Sequence, residues 1–139
     1  MSFLVDTNVL SELRKRERGN PYVLRWAHTV GWEALHTSWI AIAEMKRGAA
    51  LVRRRNQVQA VALDTWIAEV MARMPDRIFA VDGAVAEIWA TLMVPNPRAP
   101  MDALLAATAI VHGLTLATRN VRDFEGTGVT LLDPWQFKD

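Results

Sequence analysis

A chain of 139 residues, 51% apolar and 22% charged, is long enough to bury a core and fits one globular domain, which excludes a disordered chain. The absence of cysteine excludes disulfides, thiolate zinc sites and cysteine nucleophiles, fits a reducing cytoplasm, and leaves oxygen and imidazole as metal donors. Sixteen Lys and Arg against fifteen Asp and Glu give a net charge of +1, so no bulk basic field draws nucleic acid, and any such role rests on local sites.

The chain opens Met1-Ser2-Phe3-Leu4-Val5 with no basic lead, and no apolar run approaches a membrane span, so neither secretion nor membrane insertion is expected. Phe3–Val5 is predicted as a short buried strand that ends at Asp6-Thr7-Asn8, a polar triplet suited to cap the next helix. Asn20-Pro21 sets an N-cap before a proline and predicts a helix through about Val30, with Val23, Trp26, Ala27 and Val30 on one face. Ala34–Thr37 reads as a second strand, and Ser38 caps a helix carrying Ile40, Ala43, Glu44 and Arg47 at helical spacing. From Asn56 to Met74 an amphipathic helix is expected to bury Val58, Val61, Ala62, Ile67, Val70 and Met74, and Pro75-Asp76 stops it. Arg77–Val81 is a third strand, Asp82 caps a helix reaching Met93, and the proline-rich stretch from Pro95 is a loop. A helix then starts near Pro100 with Asp102 in its first turn. Leu114–Ala117 is a fourth strand, residues 118–128 form an irregular connection, and Thr130–Leu132 is a fifth strand.

Strands alternating with helices predict a single α/β domain over residues 1–139, with a central parallel sheet of four to five strands flanked by helices on both faces. Ligands of such sheets bind at the carboxyl ends of the strands. Asp6 follows the first strand, Asp123 lies in the connection after the fourth, and Glu44 and Asp102 lie on helices adjoining the second and fourth. Four carboxylates converging there repel one another unless protonated or bridged by a hard cation. Oxygen-only donors point to Mg²⁺ or Mn²⁺, which assist phosphodiester hydrolysis by lowering the pKa of a bound water and stabilising the leaving oxygen, with no protein nucleophile needed.

Four local contexts sharpen that reading. They are Val5-Asp6-Thr7-Asn8-Val9-Leu10-Ser11-Glu12, Ser38-Trp39-Ile40-Ala41-Ile42-Ala43-Glu44-Met45-Lys46-Arg47-Gly48, Asp102-Ala103-Leu104-Leu105-Ala106-Ala107-Thr108-Ala109 and Thr118-Arg119-Asn120-Val121-Arg122-Asp123-Phe124. Spread over nearly the whole chain, they resemble the PIN domain and, within it, the VapC and FitB type of toxin. The resemblance implies Asp6, Glu44, Asp102 and Asp123 as catalytic acids and metal ligands, the last directly or through water, with Thr7, Asn8, Thr118 and Asn120 as orienting groups. It further implies a Mg²⁺- or Mn²⁺-dependent endoribonuclease acting on RNA as the toxin of a toxin–antitoxin pair. Such a toxin is homodimeric and held inactive by a small cognate antitoxin with a DNA-binding N-terminus.

Each acid also has a plainer use: Asp6 as a helix cap, Glu44 as a surface residue, Asp102 as a complement to the helix dipole, Asp123 as a turn former. Asp82 and Glu87 read as cap and surface residues, Arg47 with Arg53-Arg54-Arg55 as a solvated face, and His28, His36 and His112 as structural. Trp26, Trp39, Trp66 and Trp89 are expected mostly in the core, with an antitoxin interface as the alternative. Two other functions compete: a PIN nuclease of housekeeping RNA processing, and a non-catalytic acidic binding module. A receiver of the latter kind needs a lysine by its acidic pocket, and none of Lys15, Lys46 and Lys138 directly follows an expected strand.

Overall fold

Three residues, Phe3–Val5, form the central strand and pair on both sides. In the computed structural model, which describes residues 1–139, the elements run β1 (Phe3–Val5), α1 (Thr7–Arg14), α2 (Pro21–Val30), β2 (Leu35–Ser38), α3 (Trp39–Arg53), α4 (Gln57–Arg73), β3 (Ile78–Phe79), α5 (Gly83–Leu92), α6 (Pro100–His112), β4 (Thr115–Ala117) and β5 (Leu131–Leu132). All strand pairs are parallel, in the order β3-β2-β1-β4-β5. The chain builds outward from β1 to β3, then crosses back to add β4 and β5 on the other side. The switch point therefore falls between β1 and β4, where ligands of open α/β sheets bind.

Side-chain oxygens set most helix starts. Asn20 accepts from the amides of Tyr22 and Val23 (2.9 and 3.4 Å), Ser38 from Ala41 (3.2 Å), Asn56 from Gln59 (3.0 Å) and Asp82 from Val85 (3.0 Å). Each satisfies a donor the helix cannot satisfy internally, worth about 1 kcal/mol. Strand alternation then divides the core. Phe3 and Val5 point to one face, with Val23, Trp26, Ile42, Met45, Ile67 and Val70. Leu4 points to the other, with Leu105, Ala106, Ala109, Leu116 and Phe124. Helices cover both faces, as the strand–helix alternation predicts.

Several expectations change in detail. β3 is two residues long rather than five, as suits an edge strand, and Arg77 lies outside it: its Nε donates to the Leu35 carbonyl at 2.9 Å. β2 starts at Leu35 after a 3₁₀ turn, Trp32–Ala34, and runs on to Ser38; β4 and β5 each start one residue late. The stripe foreseen on α4 fails in its first half. Val58 is 82% and Val61 51% exposed, and Ala62 is exposed, whereas Ala60, Ile67, Val70 and Met74 are buried. The start of α4 packs against α3 as a helical hairpin, so only a narrow edge is covered there.

Trp26 is core, Trp66 and Trp89 are half-buried, and Trp39 stands 43% exposed on the first turn of α3. His36 and His112 sandwich the Phe79 ring at 5.6 and 3.7 Å, whereas His28 is exposed. Arg47 and Arg53 to Arg55 are all exposed, with Arg53 paired to Asp64 across the hairpin. No helix is long and apolar enough to cross a membrane.

Candidate metal centre

At the end of β1 the apolar residues stop, and Asp6 stays in register by donating its N–H to the Ala117 carbonyl at 3.0 Å. Its carboxylate is 8% exposed, with Oδ1 accepting the Thr7 N–H at 2.7 Å and Oδ2 the Thr118 hydroxyl at 2.9 Å. Asp6 thus caps α1, the plainer use foreseen, yet a carboxylate has about four acceptor positions, so each oxygen keeps one free.

The Thr118 hydroxyl is itself saturated. It donates to Asp6 and accepts from Asn8 Nδ2 at 3.3 Å and from the Asn120 N–H at 3.1 Å. The two incoming donors fix its proton toward Asp6. Asn8 Oδ1 in turn accepts the Arg119 N–H at 3.3 Å, tying α1 to the end of β4. Thr7 Oγ1 donates to Glu44 Oε2 at 3.2 Å, carrying the same network to α3. Asn120 enters through its backbone, not the side chain singled out in the sequence.

One contributor went unnoticed in the sequence. The fully buried Thr37 hydroxyl donates to the Val5 carbonyl at 3.2 Å, fixing the peptide just before Asp6. Its signal was two adjacent hydroxyl residues, Thr37-Ser38, closing the strand.

The charges share one environment. Burial lifts the Asp6 carboxyl above the usual carboxylate range, outweighing its bonds from Thr118 and Thr7, and Asp123 adds repulsion. Glu44 is raised by burial and then by Asp6 and Asp102, with the Thr7 bond opposing. Asp102 is raised by burial and then by Asp123 and Asp6. No cation answers them, because the ion pairs of the chain are Lys15–Glu12 and Arg53–Asp64, both elsewhere. The structure therefore brings Asp6, Glu44 and Asp102 into electrostatic contact, with Asp123 exposed at the rim.

A like-charged group of oxygen donors without a counter-charge fits a hard divalent cation. The His, Asp and Glu side chains nowhere stand three together as a closed ligand set. A cleft of about 530 Å³, lined by Arg14, Trp32, Trp66 and Arg73 among others, holds none of the four acids. The acids lie instead along the carboxyl edge of the sheet.

Thr118→Val tests the network. It removes the partner of Asp6 Oδ2, Asn8 Nδ2 and the Asn120 N–H at a fully buried position. Chemical denaturation should show a loss of about 1.5 kcal/mol. A valine variant as stable as wild type would mean that the hydroxyl anchors nothing.

Comparison with known proteins identifies the fold's relatives. The family model described as "PIN domain" matches residues 3–128, a span that includes all four acids. The chain is 32% identical to a VapC ribonuclease, Y4jK, of Sinorhizobium fredii, covering 96% of this chain and 97% of that one. It is 33% identical to toxin FitB of Neisseria gonorrhoeae, covering 95% and 97%. The crystal structure of FitAcB from the same organism superposes with a TM-score of 0.86 at 31% identity, over 97% of this chain and 99% of that chain. A parallel five-stranded sheet, with a chain matched by sequence over almost its full length, places the protein in the PIN domain family, among the VapC and FitB proteins.

Proposed function

We propose that the chain is a Mg²⁺- or Mn²⁺-dependent endoribonuclease, the toxin of a toxin–antitoxin pair, acting in the cytoplasm on RNA phosphodiesters. One observation carries the reading: three carboxyls raised by burial and by neighbouring carboxylates, with a fourth, Asp123, at the rim, and no cation of the chain among them. The similarity to proteins named ribonuclease and toxin supports it.

Asp6, Glu44, Asp102 and Asp123 are the residues that would hold the ion. When bound, such an ion lowers the pKa of a water and stabilises charge on the leaving oxygen. The chain's own part is positioning. Thr118 and Thr7 hold Asp6 in one rotamer, Thr7 orients Glu44, and Asn8 keeps the β4 end against α1. The exposed apolar side chains Leu51, Val58 and Val61 on α3–α4 support assembly as a homodimer, and inhibition is assigned to a small cognate antitoxin with a DNA-binding N-terminus.

Purified chain should cleave single-stranded RNA with millimolar Mg²⁺ or Mn²⁺ and fail to do so in excess EDTA, read on denaturing gels. Undiminished cleavage in EDTA would overturn the proposal.

A further inference from the structure

Two of the four acids reach the site on segments that no strand holds. Asp102 lies in the first turn of α6, whose cap residue, Ala99, offers no side-chain acceptor. Asp123 lies in a 3₁₀ turn, Val121–Phe124. A single hydrogen bond joins the two segments: Arg98 Nη1 donates to the Glu125 carbonyl at 2.8 Å. Arg98 stands four residues before Asp102, and Glu125 two residues after Asp123.

Arg98 has no carboxylate within ion-pair distance, so its guanidinium serves here as a directional donor and not as a counter-ion. Gly126, with φ +81, lies directly beneath it, and a Cβ there would sit 2.9 Å from Arg98 Nη2. The left-handed backbone favours glycine, and a Cβ there would push the guanidinium aside. The inner side of the turn is already fixed. Phe124, 2% exposed, packs with Leu105 and Ala106 of α6, and the Thr127 hydroxyl donates to its carbonyl at 2.6 Å. What remains for Arg98 is the outer rim, where Asp123 stands.

We propose that Arg98, seated on Gly126, is a positioning residue that sets the spacing of the Asp102 and Asp123 carboxylates and so the affinity of the centre for a divalent cation. The proposal rests on the metal-site reading above. Its test is calorimetric titration of the full chain with Mn²⁺ alone, beside melting in EDTA. Arg98→Ala should bind Mn²⁺ about tenfold more weakly, the usual effect of losing a group that orients metal ligands, with little change in the EDTA melt. Arg98→Lys, which keeps a donor, should recover part of the loss. Gly126→Ala should weaken binding in the same direction, and the double variant should be no weaker than the weaker single, because both break one contact.

A mere loop brace would lower the EDTA melt and leave Mn²⁺ affinity alone. Wild-type affinity in Arg98→Ala, where wild type binds and Asp6→Asn does not, overturns the positioning role alone. No Mn²⁺ binding by wild type overturns the metal site and this role together. If Gly126→Ala does not fold, Arg98→Ala decides.

Discussion

Asp6→Asn is expected to lower RNA cleavage by about 10³-fold, roughly 4 kcal/mol of barrier, and to relieve any growth arrest caused by wild-type expression. The size follows from position. Asp6 is the most enclosed of the four acids, it stands at the switch point, and two bonds hold its carboxylate in one orientation. Asparagine keeps the cap, because its carbonyl oxygen still accepts the Thr7 N–H, so α1 should start where it does now. What it loses is the charge. The control is Asp82→Asn, the same chemical change at a cap outside the cluster, which should leave cleavage unaltered. Rates on a defined oligoribonucleotide, with circular dichroism to verify folding, decide the matter. Cleavage by Asp6→Asn within tenfold of wild type would remove Asp6 from the centre.

The second expected result is an inversion. In EDTA at neutral pH, Asp102→Asn should melt above wild type, and in excess Mg²⁺ below it. The pressures on Asp102 are burial, Asp123 and Asp6, with no hydrogen bond opposing them, so neutralising it relieves the metal-free fold. The group is partly solvated and screened, which limits the gain to about 0.5 kcal/mol. Mg²⁺ at a hundredfold over its Kd should stabilise wild type by about 2.7 kcal/mol and the variant much less.

Asp6→Asn should not share the gain in EDTA. Its new amide donor would face a Thr118 hydroxyl that already accepts twice and points its only proton at residue 6. That conflict offsets the relief. The pH dependence has a definite sign. Carboxyls raised in the fold bind protons more tightly there than in the unfolded chain, so their contribution is full below about pH 4 and is lost as pH climbs through their raised values. The EDTA advantage of Asp102→Asn should accordingly open between pH 4 and 7 and vanish below. Equal responses of both variants and wild type to Mg²⁺ would reduce the acids to structural residues.

Much of this was legible in the sequence because the physics is local. Asn20-Pro21, Ser38, Asn56 and Asp82 bond amides two or three residues away, so each helix start follows from a residue and its near neighbours. Asp6, Glu44 and Asp102 stood out by chemistry and placement. The α4 stripe was misread because its two faces are almost equally apolar in the first turns, and only the tertiary neighbour decides which is covered; Ala60 is buried while Val58 and Val61 meet water. Asn120 acts through a main-chain N–H, which its residue type cannot advertise. Arg98 was invisible for a related reason: its partner is a carbonyl 27 residues away, and every residue carries a carbonyl.

The parallel pairing of β1 with β4 has a consequence in time. The Asp6–Thr118 bond spans 112 residues, and the strand that delivers Thr118 is the fourth of five. At about 5–20 residues per second, roughly 6–20 s separate the synthesis of Asp6 from that of the residue whose hydroxyl fixes it. No nascent fragment ending before Thr118 contains the centre. A fragment that stops short of Thr118 presents Asp6 without the hydroxyl that orients its Oδ2.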